Sequence, residues 1–561
     1  MADSREHPSI PTLKRQLAEG QIDRREFLRY ATLLGLSAPA AYAAVRAITG
    51  ERLVGEARAQ GTPPKGGTLR LGMRCQDVKD PHTFSWVQRS NTVRQVCDYL
   101  TTTGTDNITR PSLCEKWEAS PDLKTWTLRL RKDVKWRNGR QFTADDVAWN
   151  IKRVLDPKTG SSVLGLMKGF ILEEFETGEK DDKGNPKKST RLWDANAVQK
   201  VDDFTVKLNG KTPQIAVPEW LFHYPFLILD PAENGEFKVG SNGTGAFELV
   251  ENQLERKQVL KARKEPYWGG GPYLDTLEFI DLGDDNAAQI AAVASKQVDG
   301  LYRASITQLD AIQKLGHVQL YQITTAQTIV ARTHPVKPFD DKRVRQALRY
   351  ATDSNAVLQV AHRGLGSVGE HHHVSPIHPE YAKLPAFQRD VAKAKKLLAD
   401  AGYPNGIDTE IACKPDPAVE LLAVQALVEQ WKEAGIRVKI NNMPSTQFWE
   451  VWTKVPFGFT GWTHRPLGTM VLGLAYRTGV PWNESRYSNK DFDTLLTEAE
   501  GTLDVAKRRE IMAKLEGILQ DDGPIVQPLW LPTFTFMDKR VQGFKMHPTN
   551  YIFGHQLGIT A

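Results

Sequence analysis

The stretch from residue 410 to residue 440 constrains the fold more than any other part of this sequence. A short strand-like segment at 410–413 is followed by a helical pattern at 418–434, which Gly435 ends, and then by the alternating strand 436–440. A strand, a helix and a second strand in this order form a βαβ unit, whose strands run parallel. Ligands of such sheets bind beyond the carboxyl ends of the strands, so we expect residues 441–443 at a ligand-binding edge.

Strand and helix patterns also alternate along the rest of the chain. Residues 68–73 form a short first strand, and apolar residues alternate with polar ones over 126–130, as in a half-buried strand. A capping-box pattern at 143–146 predicts the start of a helix. The acidic and then basic segment 173–191 is expected to be an exposed insertion, because no apolar residues surround its carboxylates. The sequence therefore predicts an α/β protein.

The composition excludes several classes of protein. With 40% hydrophobic and 25% charged residues among 561, the chain is neither disordered nor fibrous nor a small disulfide-stabilised scaffold. At roughly 100–200 residues per domain, the length predicts about three domains or two large lobes. The net charge of +6 is small for so large a surface, so we expect no nucleic-acid partner.

The N-terminal segment resembles an export signal of the twin-arginine type. Arg24-Arg25 precede Phe27-Leu28 and a small-residue apolar run at 31–41, which is shorter than the roughly 20 residues a membrane-spanning helix needs. Cleavage fits Ala41-Tyr42-Ala43 or Ala57-Arg58-Ala59, and we favour removal of residues 1–59 by a cut after Ala59. The location would then be the periplasm. The alternative is an amphipathic helix at the start of a cytosolic protein.

Cysteine and histidine patterns leave two questions open. The chain contains no Cys-x-x-Cys, so a structural zinc site is unsupported. An oxidising compartment would permit a disulfide between two of the four cysteines, Cys75, Cys97, Cys114 and Cys413. Buried free thiols are an equal alternative. His371, His372 and His373 are consecutive, so at most two of them share a side of an extended segment. His371 and His373 are therefore the candidates for a metal, against the simpler interpretation as a polar loop.

Catalytic motifs are absent or stand in the wrong context. Gly364, Gly366 and Gly369 match the dinucleotide fingerprint, but that motif needs a strand before it and a helix after it, and here a helical stretch precedes and histidines follow. No Gly-x-Ser-x-Gly, His-Glu-x-x-His or phosphate-binding loop occurs. We expect neither an enzyme nor a bound cofactor.

Eight runs of residues spread over the chain form recognisable motifs. The runs are Trp117–Leu128, Leu130–Gly139, Phe142–Val147, Gly243–Phe247, Tyr267–Gly270, Pro338–Leu348, Ala394–Pro404 and Asn489–Asp493. Together they resemble the bacterial solute-binding protein family 5, the periplasmic receptors of ABC importers for oligopeptides, dipeptides, nickel chelates, opines and other solutes. They follow the order of the family over essentially the whole chain after the export signal.

The resemblance implies two α/β lobes joined by hinge strands, with a ligand cleft between them and an extra subdomain in lobe I, as in the large class II, cluster C-like receptors. Lobe I would comprise residues 60–325 and 530–561, and lobe II residues 326–529. Solute would close the lobes by contacting both at once. The protein would be a monomer that passes a small organic solute, peptide-like or anionic, to the permease subunits of an ABC transporter.

The resemblance also points to the cleft residues. In peptide-binding members a Gly-Trp is followed by a carboxylate that receives the peptide ammonium; here Trp462 is followed by Thr463, His464 and Arg465, and no carboxylate occurs before Glu484. We expect an anionic group of the ligand near Arg465 and no free peptide amino terminus there. The alternative is that Arg465 pairs with an acid outside the cleft.

Further contacts are expected from both lobes. Trp482 and Asn483 belong to a loop that resembles a cleft loop, and tryptophan offers flat apolar walls to organic ligands. Thr83 and Phe84 follow the first strand, where the family contributes contacts from lobe I. Two other functions stay open: a receptor for a nickel-type metal chelate and a secreted hydrolase. A family relative that acts as a chemosensory receptor or a chaperone-like binder would show the same sequence features, so the sequence does not distinguish it from a transport receptor.

Overall fold

The structure is a computed structural model that describes residues 6–50, 62–180, 184 and 186–560. The predicted cleavage site after Ala59 lies outside these ranges. None of the helices in the described ranges combines the length and the apolar character that crossing a membrane requires.

The helices are short to medium in length and are distributed over the whole chain. They are α1 Ile10–Ala18, α2 Arg24–Leu33, α3 Ala38–Thr49, α4 Val87–Val93, α5 Ala144–Leu155, α6 Val163–Ile171, α7 Val217–Trp220, α8 Asn286–Ala294, α9 Leu309–Gln313, α10 Lys342–Tyr350, α11 Ser354–His362, α12 Val391–Asp400, α13 Ala418–Glu433, α14 Ser445–Val451, α15 Gly468–Ala475, α16 Lys490–Gly501 and α17 Val505–Asp522.

The strands alternate with these helices, which confirms the predicted α/β class. They are β1 Thr68–Gly72, β2 Thr101–Thr103, β3 Thr109–Pro111, β4 Cys114–Ala119, β5 Thr125–Leu130, β6 Leu172–Lys180, β7 Pro186–Leu192, β8 Val198–Asp202, β9 Thr205–Asn209, β10 Phe247–Gln253, β11 Lys257–Ala262, β12 Thr276–Ile280, β13 Gly300–Leu301, β14 Val318–Thr333, β15 Ser367–Val368, β16 Ile407–Cys413, β17 Ile436–Asn442, β18 Phe457–Trp462, β19 Ile525–Asp538, β20 Val541–Gln542 and β21 Gly558–Ile559.

One large mixed sheet runs through both halves of the molecule in the order β10-β11-β12-β1-β13-β19-β14-β18-β16-β17. Its two long central strands, β14 and β19, pair antiparallel from Val318 opposite Asp538 to Arg332 opposite Ile525. Their register shifts between Ile323 and Gln327. This irregularity lies beside the predicted lobe boundaries, 325/326 and 529/530, which stay a prediction. We use lobe I and lobe II below for the segments on either side of them.

Lobe I carries a separate four-stranded sheet in the order β4-β5-β9-β8. In β5 the side chains of Trp126, Leu128 and Leu130 are buried, as their alternation predicts. The helix α5 begins with a capping box in which Thr143 and Asp146 exchange side-chain and backbone bonds, which confirms the predicted start. The predicted insertion is the exposed hairpin of β6 and β7.

The βαβ unit has the predicted form, but its expected ligand-binding end was assigned to the wrong strand. The strands β16 and β17 pair in parallel around α13. Because β17 is the edge strand of the sheet, residues 441–443 lie away from the centre of the molecule. The strand β16 also pairs in parallel with β18, through Ala412 and Gly458. The carboxyl ends of β16 and β18 therefore meet beside the long central strands.

Two interpretations of buried side chains are settled by the fold. All four cysteines, Cys75, Cys97, Cys114 and Cys413, are buried free thiols. The histidine run is not a polar loop, since His371, His372 and His373 are each at most 2% exposed. Burial lowers the pKa of His371 and of His372 to about 3, so both are neutral in the folded protein.

Candidate functional site

A cavity of about 660 Å³, including its opening to solvent, lies between the two lobes. This volume is in the range of small-molecule sites. The lobes contact each other around it: Arg89 and Glu450 approach to 3.9 Å, and the rings of Trp86 and Trp449 to 5.5 Å. The cavity is lined from lobe I by Ser85, Trp86, Val87, Gln88, Tyr224, Tyr302 and Arg303, and from lobe II by Gln327, Lys414, Asp416, Glu420, Trp449, Trp452, Thr460, Gly461, Trp462, Thr463, Arg465 and Trp482.

Aromatic rings form a continuous wall of this cavity. Trp452 lies 5.5 Å from Trp449, 6.4 Å from Trp462 and 6.2 Å from Trp482, measured between ring centroids. Tyr224 of lobe I continues the wall at 5.5 Å from Trp482. Such edge and tilted contacts hold flat apolar surfaces in place, so the cavity suits an organic solute with apolar groups.

A buried ion pair positions the indole ring of Trp462. The strand β18 ends at Trp462, whose indole Nε1 donates to Glu484 Oε1 across 2.6 Å. The second oxygen of Glu484 lies 3.1 Å from the Nε of Arg332, whose side chain is fully buried. Arg332 also donates to the backbone carbonyls of Val455 and Trp452. The indole plane is thus fixed from behind by a network that does not face the cavity.

Two acidic side chains, Asp416 and Glu420, also line the cavity. Lys414 and Asp416 follow β16, and Glu420 lies in the first turn of α13. The Nζ of Lys414 lies 2.6 Å from Glu420 Oε1, and both side chains are nearly fully buried. Glu420 Oε2 has no hydrogen-bond partner among the described residues. Burial raises the pKa of Glu420, and the Lys414 ammonium opposes that shift. An unsatisfied buried oxygen of this kind is a ready acceptor for a donor group of a ligand.

Two arginines, Arg303 and Arg465, also line the cavity. Arg303 of lobe I makes no ion pair or hydrogen bond within the described ranges, although its charge acts to lower the pKa of Glu420. Arg465 donates through its NH1 to Thr463 Oγ1 at 2.7 Å and to the carbonyl of His464 at 2.9 Å. Its guanidinium also lies over the ring of Tyr224, at 5.2 Å.

The alternative partner for Arg465 is absent from the described part of the chain. No carboxylate there lies within ion-pair distance of it, and its Nε has no hydrogen-bond partner. The guanidinium is therefore held by its own loop and by an aromatic ring, and its Nε–H is buried without a partner. An unsatisfied guanidinium N–H of this kind is a donor for a charge-assisted bond to an anion.

Half of the site residues predicted from sequence line the cavity. Trp462, Thr463, Arg465 and Trp482 do so. Asn483 instead holds the loop of Trp482, because its side chain bonds the backbone of Tyr487 in both directions. The prediction for lobe I falls two residues short: Thr83 is exposed and Phe84 is buried in the core, while Ser85 and Trp86 line the cavity.

His464 connects the two lobes behind the cavity. Its Nδ1 accepts from the backbone of Ala326 in β14 at 3.0 Å, and its Nε2 lies 2.7 Å from Asn107 Oδ1 in lobe I. His464 is 1% exposed and does not line the main cavity.

The histidine candidates for a metal have other partners. His371 Nδ1 accepts from the backbone N–H of Gln527, and its ring lies 4.8 Å from Phe387. His373 Nδ1 lies 3.0 Å from the hydroxyl of Tyr476, behind Trp462. Within the described ranges, no three His, Cys, Asp or Glu side chains are grouped as a metal site requires.

Sequence reasoning missed Arg303, Asp416 and Glu420. They stand more than 40 residues from Trp462 and belong to no quoted family run, so no local pattern identified them. The rule that ligands bind beyond the carboxyl ends of parallel strands, applied to β16 instead of β17, would have found Asp416. Their presence removes one premise of the sequence argument, namely that the cleft lacks a carboxylate for an ammonium group.

Comparison with known proteins gives the family. The model of the bacterial extracellular solute-binding proteins, family 5 (Middle), matches residues 109–481, which is more than half of the chain. Heme-binding protein A of Haemophilus influenzae is 26% identical, with 79% of this chain and 82% of that protein covered. The dipeptide-binding protein of Escherichia coli K12 is 26% identical, with 78% and 84% covered.

A solved structure has the same fold. The periplasmic binding protein AgaA, in complex with agropinic acid and from A. tumefaciens R10, superposes with a TM-score of 0.77 at 23% identity, covering 88% of this chain and 99% of that one. The predicted two-lobed fold and the predicted function, a substrate-binding component of an importer, are confirmed. The family consists of solute-binding proteins. This chain belongs to the bacterial extracellular solute-binding proteins, family 5.

Proposed function

We propose that the cavity binds a small peptide-like solute that carries both a nitrogen donor and an acidic group. The proposal rests mainly on one observation: Glu420 Oε2 is buried without a hydrogen-bond partner, in a cavity that Arg303 also lines. A ligand ammonium or amide N–H would satisfy Glu420, and a ligand carboxylate would pair with Arg303 or with the free N–H of Arg465. This modifies the expectation from sequence: an anionic group is retained, and a free amino group is no longer disfavoured.

The path of the protein and its solute is also a proposal. The N-terminal residues 1–59 would direct export to the periplasm and be removed, and the monomeric receptor would hand its solute to the permease subunits of an ABC transporter. The relatives named as periplasmic and dipeptide-binding proteins support this path. Lobe closure on the solute would give the permease one conformation to recognise.

Isothermal titration calorimetry with four related ligands tests the ligand class. The panel is a dipeptide with one aromatic residue, its N-acetyl form, its C-terminal amide and the doubly blocked form. We expect each block to weaken binding about tenfold or more, which corresponds to about 1.4 kcal/mol. Equal affinity for all four, or no binding by any of them, would argue against a peptide-like solute with two charged ends.

The variant Glu420→Gln tests whether Glu420 receives the amino group of the ligand. Glu420→Gln should bind the free and N-acetylated dipeptides with similar affinity, because the charge that prefers an ammonium is gone. Glu410→Gln is the matched control, since Glu410 is an exposed residue of the same sheet and pairs with Lys439. A preference for the free amine that survives in Glu420→Gln would mean that another group receives it.

A further inference from the structure

The segment that precedes the first strand is folded onto the body of the protein. Its three helices, α1 to α3, have sequence-encoded ends: Asp23 and Glu26 form a capping box, Ser37 caps α3, and Gly50 ends it with φ +69°. Phe27, Ala31, Ala41 and Val45 are fully buried. Residues 10–49 therefore form a packed unit, which we call the N-terminal helical segment.

One side of this segment contacts lobe II. The NH1 of Arg29, a residue only 7% exposed, donates to the carbonyl of Pro466 at 3.1 Å and to that of Ile377 at 3.4 Å. Glu26 pairs with Arg509. The guanidinium of Arg508 stacks over the buried ring of Tyr30 at 4.0 Å.

The other side contacts lobe I. The indole Nε1 of Trp117 donates to the carbonyl of Leu33 at 2.9 Å, and the hydroxyl of Tyr42 donates to Asp106 at 2.8 Å. Gly35 packs so closely on Trp117 that a Cβ there would lie 2.9 Å from its carbonyl oxygen. Both lobes are thus bonded to one packed helical unit, none of whose residues lines the solute cavity.

We propose that the N-terminal helical segment is an interlobe clamp, which holds the two lobes together while it remains attached and is folded. Hinge opening moves one lobe relative to the other, so it must break either the contacts of Arg29 and Glu26 or those of Trp117 and Tyr42. Removal of the segment would free the hinge, and the receptor would then exchange solute by opening and closing. Arg24 and Arg25 are exposed in the clamped protein, whereas Phe27 and Leu28 of the same motif are buried. The proposal does not depend on the identity of the solute.

Distances between spin labels across the cleft test the clamp on the full chain without added solute. The labels are placed on Lys79→Cys in lobe I and Lys454→Cys in lobe II, both exposed positions, while the four native thiols are buried. A site-specific protease sequence is introduced within 51–61. We expect one short, narrow distance distribution before cutting and a longer, broader distribution after cutting and removal of the segment.

A substitution in the uncut chain distinguishes the loss of the clamp from any other effect of the proteolytic cut. Phe27→Asp places a charge at a fully buried position of the segment and is expected to unfold it, so it should shift the distances as removal does. Arg25→Ala, an exposed change on the same helix, should leave them as in the parent. If removal of the segment and Phe27→Asp both leave the distribution unchanged, the clamp proposal is wrong. A shift in Phe27→Asp alone would still support it and would show that the cut segment stays bound.

Discussion

Trp462 donates its indole N–H to Glu484 across 2.6 Å, and the same carboxylate pairs with the fully buried Arg332. The wall of the cleft is therefore fixed by an ion pair that does not line the cavity. The side chains that meet the solute and those that hold the cleft in shape are different, and substitutions should separate them.

Substitution of Glu484→Gln should destabilise the protein. The amide still accepts from Trp462, but Arg332 is left as a buried charge without its partner, a defect that costs about 3–5 kcal/mol. Urea unfolding followed by tryptophan fluorescence measures the loss. The control Asp408→Asn breaks the exposed pair with Arg437 and should leave the stability nearly unchanged. Similar small losses in both variants would show that the pair with Arg332 has no structural role.

Substitution of Arg303→Met should weaken binding of ligands with a free carboxylate. A charge-assisted bond contributes about 1.5–3 kcal/mol, so affinity for the dipeptide should fall by about tenfold or more, whereas affinity for its amide should hardly change. Calorimetry compares the two ligands. Arg343→Met, at an exposed position of lobe II, serves as control. If Arg465→Ala, and not Arg303→Met, removes the discrimination, the carboxylate binds at Arg465, as the sequence alone predicted.

Substitution of Gly461→Ala should reduce affinity for the amino group. A Cβ at this position would lie 2.5 Å from Glu420 Oε1, so the carboxylate must move away from Lys414 and from the ligand. Gly517→Ala is the control, because nothing lies within 4 Å of a Cβ there and alanine favours the helix α17. Unchanged affinity for the free dipeptide in Gly461→Ala would mean that Glu420 does not contact the ligand.

Glu516 should make the protein less stable as the pH rises. Its carboxyl is buried 3.5 Å from His372 Nε2, and burial raises its pKa from 4.5 to about 9, so the contact is not an ion pair at neutral pH. The folded state keeps a proton that the unfolded chain loses above pH 4.5. This contribution is full below that pH and is lost as the pH approaches about 9.

Urea titrations from pH 7 to pH 9 measure this effect. His372 does not contribute in this window, because its pKa is near 6.5 when unfolded and about 3 when folded. Glu516→Gln should flatten the decline in stability, and Glu510→Gln, an exposed change on the same helix, should leave it as in the parent. A decline of equal slope in all three proteins would mean that Glu516 is ionised in the folded state.

Local patterns were sufficient to predict much of the fold. The βαβ unit around α13 and the capping box at Thr143 depend on neighbours in sequence, and both have the predicted form. The three histidines are buried against residues that are distant in sequence, such as Gln527 and Tyr476. Local patterns therefore could not predict their burial.

The site was predicted in part for the same reason. Trp462 and Arg465 lie in one segment next to a recognisable Gly-Trp. Glu420 reaches the same cavity only because β16 pairs with β18, and Arg303 reaches it only because the two lobes meet around it. Pairing of strands that are distant in sequence and contact between lobes are long-range events, which no short pattern records.

Native mass spectrometry of the protein purified from cells that export it tests the assigned ligand class most directly. A closed cleft should retain its solute, and we expect one bound molecule that contains both an amine or amide nitrogen and a carboxyl group. The double variant Glu420→Gln, Arg303→Met should lose it. A retained solute that lacks either group, or one that the double variant retains equally well, would contradict the assignment.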